Sequence, residues 1–151
     1  MIRFNESTDA VTHADNRVRA MLIPGCRRSA HVDRLFGAAF AFTIEPRMFI
    51  TAESLSHSYR GGCWEMYALS NGGFYMAPET DRTFLVCAAN GFEGEMSADA
   101  FGITVCLYVF SLSSFDRRRP RLAGTCAEHF HLLREFAIEH PEAAAIFRAT
   151  D

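Results

Sequence analysis

Three carboxylates that follow one another closely in the second half of the chain have the clearest chemical potential. Glu93, Glu95 and Asp99 lie around a glycine-containing stretch and the predicted start of a helix. Paired carboxylates can act as general acid and base, and their oxygens can hold a hard cation. Acids are also favoured at helix N-termini, where they offset the positive end of the helix dipole. Because no second acid-rich element or phosphate-binding glycine pattern accompanies them, the dipole interpretation is favoured.

Histidines offer a second chemistry, since imidazole can be a base or a metal ligand. His129 and His131 are two residues apart on a predicted helix, so their side chains point about 200° apart and do not share a metal ion. We expect both to be exposed or capping residues, and we interpret His140 as a cap of the final helical turn. The chain also has no G-x-S-x-G nucleophile motif. The sequence therefore predicts no catalytic residue, no metal site and no cofactor.

The main charge run is residues 116–121, in which Asp116 precedes Arg117, Arg118, Arg119 and Arg121. Such a run could contact phosphate, with salt-sensitive affinity as its signature. A solvated loop is the simpler interpretation, because no interleaved aromatic residues and no groove-reading helix accompany it. The 18 acidic and 15 basic residues give a net charge of −3. That charge is too small for an imitation of DNA and gives no global attraction to it.

The elements that position these residues centre on residues 61–78, with the sequence GGCWEMYALSNGGFYMAP. Two apolar runs flank Asn71 and Gly72, and Asn-Gly between such runs is a strong hairpin signal. A two-residue turn would place Leu69 opposite Phe74 and make both faces of the hairpin mostly apolar. Such a hairpin belongs in the middle of the fold, with other elements packed on each side.

The remaining strands follow from short connections. Residues 83–88 form a third strand, which predicts a three-stranded antiparallel meander, and residues 38–42 are a candidate fourth short strand. Residues 90–95 are expected to be a loop. Together with the helices this predicts an α+β fold, with a small antiparallel sheet packed against about four to five helices.

Those helices have recognisable signals. Caps at residues 7–9 begin a first helix that runs to about Leu22, and Glu45-Pro46 opens a second. Thr125 and Glu128 form a capping box for the last long helix.

The most unusual helix is predicted near residues 98–114, with Ser97 as its cap. It has no charged residue from 100 through 114. Fifteen residues rise about 22 Å as a helix, whereas the hydrocarbon core of a membrane is roughly 30 Å thick. We therefore expect a buried central helix and no membrane attachment.

Bulk composition limits the class of protein. A chain of 151 residues with 49% hydrophobic residues is expected to form one domain, residues 1–151. The five cysteines are widely spread without a C-x-x-C pair, which is typical of a reduced, cytoplasmic protein. The N-terminus has no apolar signal core, so secretion is not expected.

Three strings resemble a known family. They are GGCWEMYALSNGGFYMAP (61–78), NGFEGEMSADAFGI (90–103) and LREFAIEHPEAAAIFRATD (133–151). In this order they resemble the antirestriction family typified by ArdB and KlcA, and the likeness covers about residues 17–151. The resemblance implies a small α+β protein, carried on plasmids and other mobile elements, that protects incoming foreign DNA from host type I restriction enzymes in the cell.

Family members look unlike the acidic antirestriction proteins that imitate DNA, and the small net charge of this chain agrees. The implied partner is a host type I restriction enzyme or an associated host protein, engaged by protein–protein contact without direct DNA binding. Two alternatives stay open: a small DNA-binding protein that shields sites, and a hydrolase that uses the acidic loop 93–99.

A candidate partner-binding surface follows from the position of the distinctive strings. The hairpin tip and the 90–95 loop are expected near one end of the sheet, and exposed loops carry function more often than packed strands. The residues predicted to form this surface are Asn71, Gly72, Tyr75, Asn90, Glu93, Glu95 and Asp99.

Overall fold

The computed structural model describes residues 15–151 and has an α+β architecture, which confirms the predicted fold class. The described chain contains five strands and five α-helices. They are β1 (Ala20–Leu22), α1 (Arg28–Phe36), α2 (Glu45–Leu55), β2 (Trp64–Leu69), β3 (Phe74–Pro78), β4 (Phe84–Cys87), β5 (Glu93–Met96), α3 (Ala98–Ser113), α4 (Pro120–Ile138) and α5 (Ala143–Thr150). A short 3₁₀ turn precedes α1, and a π-helical segment precedes α2.

The buried central helix is confirmed as α3. Twelve of its sixteen residues are buried, because β3, α2, α4 and α5 all pack against it. The side chain of Ser97 caps the helix by accepting a hydrogen bond from the Ala100 N–H group (3.1 Å). Gly102 lies directly against Met76 and Ala77 of β3, where a larger side chain has no room. This close approach fixes the sheet against the helix.

The β2–β3 hairpin is present, but the predicted register is wrong by one residue. Ala68 lies opposite Phe74, and Tyr67 lies opposite Tyr75. The rings of Tyr67 and Tyr75 stack at 4.8 Å between centroids, so the two side chains share one face. A one-residue shift in register exchanges the two faces of a strand relative to its partner.

The loop of this hairpin explains the shift. The Leu69 N–H group donates to the Gly73 carbonyl (2.9 Å), and the Gly72 N–H group donates to the Leu69 carbonyl (2.9 Å). Gly72 has a φ of +92°, which glycine adopts without strain. The loop therefore has three residues, a tight turn followed by a left-handed glycine, and Asn-Gly fits it as well as the two-residue turn.

The predicted meander is corrected in its third strand. The first sheet has the order β1-β2-β3, and β4 pairs instead with β5 in a separate two-stranded sheet. Residues 90–95 were predicted to be a loop, but Glu93–Met96 is strand β5, in which Met96 lies opposite Phe84 and Glu93 opposite Cys87. The β3–β4 connection, residues 79–83, is polar and exposed.

The first predicted helix is corrected where the structure describes it. Its caps at residues 7–9 lie outside the described residues, but Ala20–Leu22 is strand β1 and not the end of a helix. Ala20 pairs with Leu69, and the Ile23 N–H group extends the ladder to the Met66 carbonyl (2.8 Å). The pairing partner is distant in sequence, so local helical spacing did not indicate it.

The candidate strand at residues 38–42 is also wrong. Phe40–Ile44 is a π-helical turn that continues into α2. Phe40, Ile44 and Met48 are all buried, and their four-residue spacing keeps one apolar stripe against the core across this turn. Helical periodicity therefore decides the conformation of this segment.

Within residues 15–151, no single helix is both long and apolar enough to cross a membrane. Only the bent pair 25–36 and 40–55, with 93° between its two parts, reaches that length and composition. All five cysteines are free, and Cys106 and Cys126 are buried.

Candidate functional site

The seven residues predicted for a partner-binding surface fall into three groups. Asn71 and Gly72 form the tip of the β2–β3 hairpin, and Tyr75 and Asp99 lie in a network at the start of α3. Asn90, Glu93 and Glu95 belong to the β4–β5 hairpin. Asn90, Glu93, Glu95 and Gly72 are exposed, Asn71 and Asp99 are half-buried, and Tyr75 is buried.

The hairpin tip is fastened to α4 by Asn71. Its side-chain amide donates hydrogen bonds to the Leu132 carbonyl (3.0 Å) and the Glu135 carboxylate (2.9 Å). Its side-chain oxygen accepts a hydrogen bond from the Gly73 N–H group (3.0 Å). Both ends of the amide are thus used within the chain, and Gly72 is the exposed point of the tip.

Asp99, in the first turn of α3, joins two elements that are distant in sequence. One of its oxygens accepts a hydrogen bond from the Tyr75 hydroxyl (2.8 Å), and the other lies 2.9 Å from Nε2 of His140. The Nδ1 atom of His140 accepts a hydrogen bond from the Glu142 N–H group (3.0 Å), so Nε2 carries the proton and donates to Asp99. Asp99 therefore acts as a double acceptor between β3 and the α4–α5 junction.

Burial and hydrogen bonding shift the pKa of Asp99 in opposite directions. Burial raises the pKa of Asp99, but hydrogen bonds from His140 and Tyr75 outweigh it and hold the pKa below 3.8. The pKa of Tyr75 is raised, first by burial and then by the neighbouring Asp99 charge. Tyr75 is consequently a neutral hydrogen-bond donor and Asp99 an ionised acceptor at neutral pH.

The network continues through Glu142. Its carboxylate accepts hydrogen bonds from the Ser97 N–H group (2.9 Å) and from the Ser97 hydroxyl, the same side chain that caps α3. The predicted role of His140 as a cap near the final helix agrees with its bond to Glu142, but its bond to Asp99 was missed. The sequence His140-Pro141-Glu142 was the only feature of the chain that drew attention to this histidine.

The β4–β5 hairpin presents the acidic side chains to solvent. Glu93 and Glu95 alternate with Gly94 and Met96, so the two carboxylates project from the same face of β5. The Asn90 amide donates to the carbonyls of Arg148 (2.9 Å) and Ala149 (3.3 Å) at the end of α5. The hairpin is therefore attached to α5, whereas the β2–β3 tip is attached to α4.

The arginine run lies in the α3–α4 connection and extends into the first turn of α4. Arg119 donates to the Thr43 hydroxyl (2.6 Å), and Arg47 of α2 contacts Asp116 (3.5 Å). Arg117 and Arg118 are exposed. Among residues 15–151 no group of three or more His, Cys, Asp or Glu side chains is arranged to hold a metal ion.

The prediction that both α4 histidines are exposed or capping residues is wrong for His129. His129 is 4% exposed, and its ring lies 4.9 Å from Phe36 and 5.8 Å from Phe110. Its Nδ1 atom is buried without a hydrogen-bond partner in the described part of the chain. Burial is the largest cause that lowers its pKa, with His31 adding to it and Glu128 opposing it. His131 is exposed.

Replacing His129 with leucine is expected to stabilise the fold, most strongly in mild acid. The folded-state pKa is below 6.5, so as the pH falls through 6.5 the unfolded chain takes up the proton first and stability decreases. The variant removes both this proton uptake and the unpaired buried nitrogen. We expect a gain of about 1 kcal/mol near pH 5.5 and less near pH 8, measured by urea unfolding.

The matched control is His131→Leu, two residues away on the exposed side of α4. Its effect on unfolding free energy is expected to stay within about 0.5 kcal/mol. A stability gain for His129→Leu that does not change with pH would show that proton uptake at this ring is not coupled to unfolding.

A family model described as "Antirestriction protein" matches residues 57–151, which include β2–β5, α3–α5 and all seven predicted surface residues. The chain belongs to the antirestriction protein family. The match also covers the Tyr75–Asp99–His140 network and both hairpins. The resemblance seen in the sequence is thereby confirmed.

Individual relatives extend this similarity to most of the chain. An antirestriction protein KlcA of Escherichia coli is 36% identical over 138 residues, covering 91% of this chain and 97% of the relative. Another E. coli protein of the same name is 47% identical over 133 residues, covering 82% and 91%.

A solved structure of the same group has a TM-score of 0.82 and 37% identity, and the match covers 89% of this chain and 95% of that chain. The KlcA and ArdB proteins of that structure are described as having a novel fold and antirestriction activity against type I DNA restriction systems in vivo but not in vitro. The α+β fold is therefore that of a solved antirestriction protein.

Proposed function

We propose that this protein protects incoming foreign DNA, such as a plasmid or mobile element, from host type I restriction in the cytoplasm. The observation that carries the proposal is the structural match, at a TM-score of 0.82 over 89% of the chain, to proteins described as active against type I systems in vivo. The whole chain, residues 1–151, acts as one domain in this proposal, and it acts as an inhibitor rather than as an enzyme.

The route is contact with another protein rather than imitation of DNA. A polyanionic imitation needs a large excess of negative charge, and the net charge here is only −3. The solved relatives are described as active in vivo but not in vitro. Activity that depends on the cell supports a partner beyond the purified enzyme, so an associated host protein is a partner alongside the restriction enzyme itself.

The contact surface in this proposal is the one predicted from the sequence. Asn90, Glu93 and Glu95 offer exposed polar and acidic groups on the β4–β5 hairpin. Asn71 and Gly72 form the second exposed tip. The hydrogen bond from Tyr75 to Asp99 (2.8 Å) holds the start of α3, which directly follows this hairpin, and in this proposal it supports the surface.

The activity is tested by plating unmodified phage on cells with a type I restriction system, with and without the gene. We expect more plaques when the gene is present, and no difference on a host that lacks the restriction system. Equal plating with and without the gene on the restricting host would rule out the proposed function.

Reversing the acidic charges, in the double variant Glu93→Arg/Glu95→Arg, is expected to reduce protection in this assay by about tenfold. Both side chains are exposed, so the fold is expected to persist, which thermal unfolding checks. Glu79→Arg/Asp81→Arg makes the same charge change on the exposed β3–β4 connection and is expected to protect normally. Equal protection by both double variants would place the contact elsewhere.

A further inference from the structure

Large apolar side chains are exposed where α2 passes the C-terminal end of α3. Ile50, Leu112 and Phe115 are 66, 67 and 79% exposed, and Phe42, two turns before Ile50, is 83% exposed. The first three line one groove of about 350 Å³, and the rest of its lining is Arg47, Thr51, Val109 and Asp116. Single exposed apolar residues are common, but a contiguous group marks an interaction site. We call this feature the α2–α3 groove.

The α2–α3 groove is bordered by positive charge. A depression next to it shares Phe115, and its lining contains four guanidinium groups and one carboxylate. The charged residues are Arg47, Arg117, Arg118, Arg119 and Asp116. The chain as a whole has a net charge of −3, so this concentration of arginine is a local departure from the average.

Two of these arginines are held in place and two are available. Arg47 donates to the Ser113 hydroxyl (2.8 Å) and contacts Asp116, and Arg119 donates to the Thr43 hydroxyl. Arg117 and Arg118 are exposed, and their guanidinium groups have no hydrogen-bond or ion-pair partner within residues 15–151. The available groups lie next to Phe115, at the rim of the apolar surface.

We propose that the α2–α3 groove binds an acidic amphipathic helix of a partner protein. An amphipathic helix places apolar side chains at i, i+3 or i+4, and i+7 into such a groove. Carboxylates on its flanks can pair with arginine through two parallel hydrogen bonds, which gives both energy and orientation. The class of ligand follows from the groove alone, whereas its use against restriction rests on the proposed function.

Other occupants fit the surface less well. Single-stranded nucleic acid stacks successive bases on several aromatic faces, whereas Phe115 is the one aromatic side chain among the described residues that line the groove. A second copy joined through the same patch would bring the arginines of both copies together, because a two-fold interface pairs a surface with itself. An acidic amphipathic helix can contact both parts of the surface, with its apolar face in the groove and its carboxylates on the arginine side chains.

The groove is also distinct from the acidic hairpin. The groove lies at the C-terminal end of α3, whereas β5 leads into the N-terminal end of that helix. The sixteen residues of α3 span about 24 Å, which separates the two surfaces. The two surfaces therefore have opposite charge at opposite ends of the central helix. A partner contacting one of them leaves the other accessible.

The binding test uses a designed probe and the purified chain. The probe is a helical peptide of about sixteen residues with a leucine stripe and glutamates on both flanks, and its match has lysines in place of the glutamates. We expect the glutamate peptide to bind with a Kd on the order of 10–100 µM and the lysine peptide about tenfold more weakly. Methyl NMR signals of Ile50 and Leu112 should shift on binding.

Variants locate the site. Leu112→Ser and the pair Arg117→Glu/Arg118→Glu are expected to weaken binding of the glutamate peptide by about tenfold each. Ile138→Ser and Arg27→Glu/Arg82→Glu make comparable changes at exposed positions elsewhere, and these variants should bind the peptide normally. Thermal unfolding verifies that each variant is folded.

Several results would overturn the inference. They are no binding of the glutamate peptide, equal binding of the two peptides, NMR shifts confined to other surfaces, stronger binding of a single-stranded oligonucleotide, or self-association through the groove.

Phage plating addresses the cellular role of the groove separately. A wild-type chain that binds the peptide but gives no protection contradicts only the proposed function. Groove variants that lose the peptide but protect normally contradict the use of the groove in cells.

Discussion

Substituting Gly102 with alanine is expected to destabilise this protein by about 3 kcal/mol, or roughly 10 °C in Tm. A Cβ atom at this position would lie 2.5 Å from the Met76 carbonyl oxygen and 2.5 Å from Cα of Ala77. Both are backbone atoms of β3, so no side-chain rotation relieves the clash. The helix and the sheet would have to separate, which loosens the packing of α3 on β3.

The same separation stretches a second contact. The Met76 N–H group donates to the Cys106 sulfur (3.4 Å), one turn along α3 from Gly102. Moving α3 away from β3 weakens this bond and the packing around it. Chemical denaturation of purified wild-type and variant chains measures the loss.

Gly124→Ala is the matched control. Gly124 is exposed in α4, and a Cβ atom there would meet nothing within 4 Å. Alanine is the better helix former, so this variant is expected to gain about 0.5–1 kcal/mol. If both variants shifted stability in the same direction, close helix–sheet contact at Gly102 would not be the controlling feature.

The elements that were predictable from the sequence are those specified by local patterns. The uncharged run and the Ser97 cap indicated α3, and Asn71-Gly72 indicated a hairpin. The errors arose where several local solutions fit. Asn-Gly suits both a two-residue and a three-residue loop, and only packing selects between them.

The start of α4 shows the same limit. A capping box at Thr125 was predicted, but α4 begins five residues earlier, at Pro120. Proline fits the first turn of a helix, where its missing N–H group costs nothing. The Thr125 hydroxyl instead donates to the Arg121 carbonyl (3.1 Å) within the helix. Two start signals were present, and the predicted one was the wrong choice.

The hydrogen-bond network at the candidate site was even harder to predict from the sequence. Tyr75, Asp99 and His140 are separated by 24 and 41 residues, and no spacing rule joins them. The sequence grouped Asp99 with Glu93 and Glu95, because acids near a helix start look alike. The structure separates them, because Asp99 accepts hydrogen bonds from other elements of the fold whereas the two glutamates face solvent.

Replacing Asp99 with asparagine is expected to cost about 2 kcal/mol of stability at neutral pH. The aspartate accepts hydrogen bonds on both oxygens, from the Tyr75 hydroxyl and from Nε2–H of His140. An amide has only one acceptor, so its NH₂ group would face one of these donors. The Asp99 side chain is 41% exposed, and solvent therefore moderates the loss relative to a fully buried group.

Acid should reduce the difference between the two proteins. The folded-state pKa of Asp99 lies below 3.8, so its contribution to stability is present above that pH and is lost as the pH falls through the folded value. Asparagine does not titrate, and the variant lacks the contribution at every pH. Urea unfolding from pH 7 to pH 3 should therefore show the two stabilities converging.

Tyr75→Phe separates the two halves of the network. It removes only the hydroxyl donor and leaves the bond between Asp99 and His140, so a smaller loss of about 1 kcal/mol is expected. The remaining bond keeps the Asp99 pKa depressed, and this variant should retain part of the acid sensitivity of the wild-type protein. An Asp99→Asn variant as stable as the wild type at pH 7 would contradict the role of this carboxylate in joining β3, α3 and the α4–α5 junction.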